Sequence, residues 1–233
     1  MLDKIGIILP VRDGNNGRVE RLTRCLDSLF AHSDNLSHVF VIVDSDEVEK
    51  YSFVDNYDSE LVTKVVAPYG ITLIQKINYW AIEVAEQYKY VAFIGDDIVF
   101  RDRWEKEFID FLSQHKYALA YANDLHQGER LATHPCITSN MIKAVGFFGC
   151  PAVQHNCFDN YWMNIIYHVG EKKYFPHIIM DHMHPHAGKA GHDNISHQIN
   201  NLLYQDCADF DRYMSENLDS DIKKIMEYEN DVL

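Results

Sequence analysis

The chain has 233 residues, enough for one domain with at most a small appendage, and 47% hydrophobic with 24% charged residues is globular composition. That excludes disordered and fibrous classes, and no apolar run approaches the roughly 18 residues that span a bilayer. A net charge of −14 opposes non-specific binding to duplex DNA or anionic membranes, and suits carboxylates gathered around a hard cation.

The first strand falls at Lys4 to Leu9 and stops at Pro10. It is too short for a signal-peptide core and no small-residue cleavage site follows, so the expectation is a soluble, cytoplasmic protein. Five cysteines without a CxxC pair suit reduced thiols there. Val19, Leu22, Cys25, Leu26, Leu29 and Phe30 then recur at helical spacing. Val39 to Val43, apolar at every position, reads as a strand buried on both faces, as in a parallel sheet. Thr63 to Ala67 and Ile71 to Ile74 flank a turn signal at Pro68-Tyr69-Gly70, and Ile77, Trp80, Ala81, Val84, Ala85 and Tyr88 share one helix face. Tyr90 to Ile94 is another buried strand; Asp102 is placed to cap a helix carrying Trp104, Phe108, Phe111 and Leu112; Tyr117 to Tyr121 is a further strand. From Leu125 to Gly191 glycine, histidine, cysteine and aromatics replace long helical patterns, as in a pocket-building segment. Helical spacing returns from Ile195, with a break near Asp219-Ser220 that suits a cap on a final helix.

Alternating strands and helices predict an α/β domain with a mainly parallel sheet and helices on both faces. Ligands in such folds bind outside the carboxyl ends of the strands. Three polar clusters therefore converge on one edge: Pro10-Val11-Arg12-Asp13, Asp44-Ser45-Asp46-Glu47 and Gly95-Asp96-Asp97. Neither GxGxxG nor GxxxxGK[ST] follows the first strand, so the dinucleotide and P-loop classes lack their phosphate cradle. Adjacent carboxylates at Asp96 and Asp97 repel unless something offsets the charge. A divalent cation does so, and a turn with one solvated acid is the other reading.

His182, His184 and His186 fall on one face of an extended segment, able to supply zinc ligands or one imidazole to a carboxylate site. Asp159 suits either a general base that deprotonates an attacking hydroxyl or the N-cap of a helix carrying Trp162, Ile165 and Ile166. Arg12, Lys76 and Arg101 are cations near strand ends, available to phosphates or simply to the surface. Trp80 and Trp104 read as core, and so do the cysteines, with a zinc site from Cys136, Cys150, Cys157 and histidines as the lesser reading.

In their order these motifs resemble the GT-A glycosyltransferases, specifically family 2-like enzymes including phage-encoded members. Ile7 to Arg12 with the following helix is similar to their nucleotide-binding start, and Val41-Ile42-Val43-Asp44-Ser45-Asp46 to their second strand with its base-contacting aspartate. Lys76 to Ala81, including Asn78, then Tyr90 to Asp97, resembles the run into their DxD metal motif, with Gly95 in place of the first acid. Arg103-Trp104 also fits. Thr138-Ser139-Asn140 to Gly146 resembles an acceptor-side segment; Phe158 to Trp162 stands in the place of the catalytic base, and Asp181 to Pro185 with Gly188-Lys189-Ala190 in that of the late metal-binding histidine.

The resemblance spans residues 4 to 195. It implies a single catalytic domain over 1–195, with a nucleotide-sugar half at 1–124 and an acceptor and metal-histidine half at 125–195, followed by C-terminal helices over 196–233. It further implies a nucleotide-diphosphate-sugar donor, Mn²⁺ or Mg²⁺, and inverting transfer of a hexosyl or pentosyl group to a hydroxyl of a glycan, protein or modified DNA base, in a host cytoplasm if the chain is phage-encoded. The implied donor contacts are Pro10, Arg12, Asp44, Asp46, Lys76, Asn78 and Asp96. The implied metal ligands are Asp97, Asp96 and His184, with His182 second to His184, and the implied base is Asp159.

A nucleotidyltransferase also uses paired carboxylates, but its basic product groove is opposed by the acidic balance, which likewise disfavours a nucleic-acid acceptor. A non-catalytic nucleotide-sugar or glycan binder is opposed by the joint presence of Asp96, Asp97, Asp159 and His184. A zinc hydrolase on the histidine cluster is the remaining alternative.

Overall fold

In a computed structural model of the chain, residues 1–14, 17–183, 188–189 and 194–229 are described, those at 194–200 by their backbone. The elements are β1 (Leu2–Pro10), α1 (Arg18–Ala31), β2 (Ser37–Asp44), β3 (Val62–Ala67), α2 (Leu73–Gln87), β4 (Tyr88–Phe93), β5 (Ile98–Phe100), α3 (Glu105–Leu112), β6 (Ala118–Asn123), β7 (Cys136–Thr138), α4 (Ser139–Val145), α5 (Phe158–Val169), β8 (Glu171–His182) and α6 (Asn194–Glu227). They build one sheet in the order β3-β2-β1-β4-β7-β6-β8-β5. The first four strands are parallel. Short β7 runs against both β4 and β6, so β6 again points the same way as β4, and β8 is parallel to β6. The expected parallel α/β sheet is thus interrupted by β7, and β5 runs antiparallel to β8 at the edge.

Side-chain alternation along β1 divides the core. Ile5, Ile7 and Leu9 face α1 (Leu22, Cys25, Leu26, Leu29) and α3 (Phe108, Leu112), whereas Ile8 faces α2 (Ile77, Ala81, Val84) and the α4–α5 layer. Gly6 shares the α2 face. A Cβ there would come 2.3 Å from Val84 Cγ1, so the missing side chain lets α2 lie directly on the strand. A Thr72–Gln75 capping box starts α2, ending the Ile71 to Ile74 run that follows the turn.

Two expectations are corrected. Asp102 does not cap α3, whose N-cap is Trp104; its Oδ2 accepts the Ile179 N–H at 2.9 Å and so fastens β8. The tail is one 34-residue helix with no break at Asp219-Ser220. The next residue, Asp221, is fully buried and accepts the Tyr213 hydroxyl at 2.8 Å, the Tyr161 hydroxyl at 3.1 Å and Lys224 Nζ at 2.8 Å, the Tyr161 bond docking α6 on α5. No described helix is long and apolar enough to cross a membrane.

Candidate active site

Because β1, β2, β4 and β6 point the same way, their carboxyl ends share an edge, and the polar residues after them meet there. At the β1–β2 end Arg12 Nη1 lies 2.5 Å from Asp44 Oδ2 and 3.2 Å from Asp46, with the guanidinium over the exposed Tyr69 ring at 5.2 Å. Lys76, buried on α2, contacts the other Asp44 oxygen at 2.6 Å and donates to Val11 O at 3.0 Å. Burial pushes the Lys76 ammonium below its ordinary value, with Asp44 opposing the shift. Asp44 therefore holds one cation on each oxygen. Pro10 is buried beside Ile42, closing the floor of this pocket. Asp46, Arg12 and Tyr69 form its solvent-facing rim.

The loop after β1 is clamped from below. Glu47, buried, accepts the backbone N–H of Asp13 at 2.8 Å and of Gly14 at 2.9 Å, and Asp13 accepts that of Arg18 at 2.7 Å. Arg18 then reaches Asp96, 3.8 Å from its Oδ1. Asn78 is engaged with backbone: it donates to Gly149 O at 2.7 Å and accepts the Phe148 and Gly149 N–H groups at 2.9 and 2.8 Å. Its amide thereby fixes the loop before α5.

The second half of the site surrounds Asp97. One ligand atom each from Asp97, His134 and His182 lie within 4.8 Å of one another, a carboxylate with two imidazoles. His182 Nε2 is 3.4 Å from Asp97 Oδ2, and His182 Nδ1 is 4.0 Å from Asp124 Oδ2. The end of β8 is threaded between these acids: the Met183 N–H bonds to Asp97 O at 2.9 Å and the His182 N–H to Asp124 O at 3.1 Å. Burial opposes a charged imidazole, but the carboxylates of Asp124 and Asp97 beside it push His182 up to about 9.

A Cβ on Gly95 would come 2.8 Å from Asp97 Oδ1 and 3.3 Å from His134 Nε2. Glycine thus keeps open the space between two ligand atoms, and the donor set fits a divalent transition ion there. Asp96 lies outside this group, toward Arg18, so the adjacent acids are divided between the two halves of the site. His184, preferred from the sequence over His182, lies outside the described residues, as does His186. Among the described residues, His182 and His134 are the histidines that meet Asp97.

Asp159 stands in the first turn of α5, whose N-cap is Cys157, so the N-cap reading is corrected. Its Oδ1 accepts the Asn160 N–H at 3.0 Å. Burial pushes the carboxyl up to about 6, with the Asp124 charge adding to the rise and His182 opposing it. It therefore shares the field of the Asp124–His182 pair. Arg101 is taken by Asp181 at 3.1 Å, together with Lys189 at 2.5 Å.

Thr138-Ser139-Asn140 does not reach the site. Thr138 pairs with Tyr90 near the start of β4, which puts it at the opposite edge of the sheet. Nor do the cysteines form a cluster with histidine among the described residues. Cys136 and Cys150 are buried in the core, and Cys157 Sγ lies 3.4 Å from Cys207 Sγ.

Two residues escaped the sequence reading. Asp124 follows β6 directly, where the strand-end rule points, and would have been found by applying that rule once more. His134 precedes β7, and only the antiparallel direction of that strand brings its start to the same edge.

No family model matches the chain, and no curated protein matches it. Solved structures do. TarS of S. aureus in complex with UDP-GlcNAc is similar at 13% identity and TM-score 0.57 over 83% of this chain and 60% of its own. The mannosyltransferase PcManGT of Pyrobaculum calidifontis, in complex with GDP-Man and Mn²⁺, is similar at 10% identity and TM-score 0.57, over 76% of this chain and 56% of its own. GalNAc-T7 with UDP, GalNAc and Mn²⁺ is similar at 12% identity and TM-score 0.60, over 77% and 43%. The chain thus has the GT-A fold, and it spans about 60% or less of the length of these neighbours.

Proposed function

We propose that the chain is a metal-dependent glycosyltransferase that moves a sugar from a nucleotide-diphosphate sugar to an acceptor hydroxyl with inversion. The observation that carries the reading is the cluster of Asp97 and His182 at the carboxyl edge of the sheet, within the electrostatic reach of a raised Asp159 carboxyl. The likeness to nucleotide-sugar enzymes solved with Mn²⁺ supports it. Residues 1–124 form the donor half and 125–195 the acceptor and metal-histidine half of one catalytic domain, followed by the C-terminal helical tail over 196–233.

In this reading Arg12, Asp46 and Tyr69 meet the nucleoside, with Asp44 and Lys76 holding Arg12 in place beneath. Asp97 and His182 would hold the metal, which would supply positive charge to the diphosphate leaving group. Asp96, through Arg18, ties that edge to the β1 loop. Asp159 takes the acceptor proton as the hydroxyl attacks the anomeric carbon from the face opposite the nucleotide, and one displacement inverts the centre.

The test is a panel of UDP- and GDP-sugars offered to the full chain with Mn²⁺, scored for donor hydrolysis and for nucleotide binding by calorimetry. Metal-dependent binding of at least one nucleotide sugar, with slow release of its sugar, is expected. No metal-dependent nucleotide binding across the panel refutes the reading.

A further inference from the structure

His134 carries the inference. Its ring is buried, stacked on Phe93 (centroids 5.6 Å apart, planes 4° apart) and edge-on to His182 at 4.8 Å. Its Nδ1 lies 3.1 Å from Thr133 Oγ1, and Thr133 Oγ1 lies 3.0 Å from Asp124 Oδ2. Asp124 is an acceptor. Its Oδ1 already receives the N–H groups of His126, Gln127 and Gly128 at 2.7–2.9 Å. The threonine hydroxyl has one hydrogen and gives it to Asp124, so toward His134 it can only accept. Nδ1 of His134 must then carry the proton, leaving Nε2 with a lone pair, and that nitrogen borders the space kept open by Gly95 beside Asp97. The same Asp124 oxygen lies 4.0 Å from Nδ1 of His182, whose Nε2 faces Asp97. One buried carboxylate thus holds the His134 imidazole through a hydroxyl and sets its charge beside the His182 imidazole. Supporting partners of this kind fix the tautomer and orientation of metal-bound histidines.

Resting on the metal site proposed above, we infer that His134 is a third protein ligand, positioned by the Thr133–Asp124 relay, and that the resulting two-imidazole, one-carboxylate set selects a first-row transition ion over Mg²⁺ and binds it before any nucleotide arrives. Mg²⁺ demands oxygen ligands and sheds water reluctantly, whereas imidazole suits the transition series. The ligand atoms of Asp97 and His182 are 3.4 Å apart, and bonds of about 2.1 Å allow two ligand atoms up to about 4.2 Å apart, so the cluster needs only slight closure.

The experiment titrates Mn²⁺ and Mg²⁺ into the metal-free full chain without nucleotide, by calorimetry, and follows Co²⁺ by its visible absorption. Mn²⁺ should bind at least about tenfold more tightly than Mg²⁺. His134→Ala should weaken Mn²⁺ at least about tenfold and change the Co²⁺ bands. Thr133→Val, which keeps the shape without the hydroxyl, should cost about 10–100-fold, and Thr133→Ser should recover the loss. Equal affinity for Mn²⁺ and Mg²⁺, or wild-type Mn²⁺ affinity and Co²⁺ bands in folded His134→Ala, overturns the inference. If His134→Ala does not fold, the Thr133→Val and Thr133→Ser pair decides, and wild-type affinity in Thr133→Val overturns the relay. Selective metal binding without any nucleotide-sugar binding would instead sink the glycosyltransferase reading and leave this one standing.

Discussion

Replacing Asp159 by Asn separates a base from a structural residue through two readouts that move in opposite directions. The carboxyl is raised from 3.8 to about 6 by burial. An acid whose folded pKa exceeds its unfolded value costs stability once ionised. The cost is absent below about pH 4, where both states are protonated, and complete above about pH 6. Two units at 1.36 kcal/mol each give about 3 kcal/mol at most, so about 2–3 kcal/mol is the expected gain for a neutral Asn at pH 7.5. In a chain of this size that raises the melting temperature by roughly 4–12 °C. Asn keeps an oxygen for the Asn160 N–H, so no local bond is lost. Sugar transfer should meanwhile fall by about 10²–10⁴-fold at unchanged donor affinity. The assay is a thermal melt in chelator at pH 7.5 and pH 4 beside single-turnover transfer. Asp159→Asn should melt higher at pH 7.5, with the gap closing toward pH 4. A variant that melts lower at pH 7.5, or that transfers sugar at near wild-type rate, refutes the reasoning.

Three further outcomes follow from the same geometry. Asp97→Asn should abolish metal-dependent nucleotide-sugar binding in calorimetry, whereas Asp96→Asn, whose carboxylate faces Arg18, should weaken it less; the reverse ranking would move the metal to Asp96. Wild-type kcat/KM should decline below about pH 6 as Asp159 takes up its proton, and that limb should vanish from the residual activity of Asp159→Asn. Lys76→Met strips one cation from buried Asp44 while Arg12 keeps the other oxygen, and should cost about 1.5–3 kcal/mol in urea unfolding, against a change under about 1 kcal/mol if that pair behaved as an exposed one.

The strands and their shared edge were legible because buried parallel strands carry unbroken apolar runs, and β1, β2 and β4 do so over residues 5–9, 39–43 and 90–93. The helix ends were less so, because one acid serves several purposes. Asp102 has the chemistry of an N-cap, yet a strand amide from 77 residues later reaches it first, a contact with no local signature. The polar run near Asp219 reads as a helix stop for the same reason. An acid that interrupts an apolar stripe marks a cap in isolation, but Asp221 has two tyrosine hydroxyls and a lysine waiting for it, and the helix continues through it.

The site divides along a similar line. Asp97 and Asp159 could be named from position alone, since one ends a strand and the other opens a helix in an aromatic segment. Their partners depend on chain direction. His134 sits ahead of its strand, where a rule written for parallel sheets does not look, and it reaches the carboxyl edge only because β7 runs backward between β4 and β6. That reversal explains why the pocket draws on both halves of the chain. Asp97 and Asp124 come from strands that end at the edge, and His134 comes from one that begins there. The other histidine arrives with β8, which is parallel to β6 and whose last residues are tied by backbone bonds to residues 97 and 124. A metal held by this set would therefore bridge β4, β7 and β8 at the seam where strand direction changes. Residues from both sides of that seam must converge for the ligand set to exist, so metal affinity should report on the packing of the two halves as directly as on the ligands themselves.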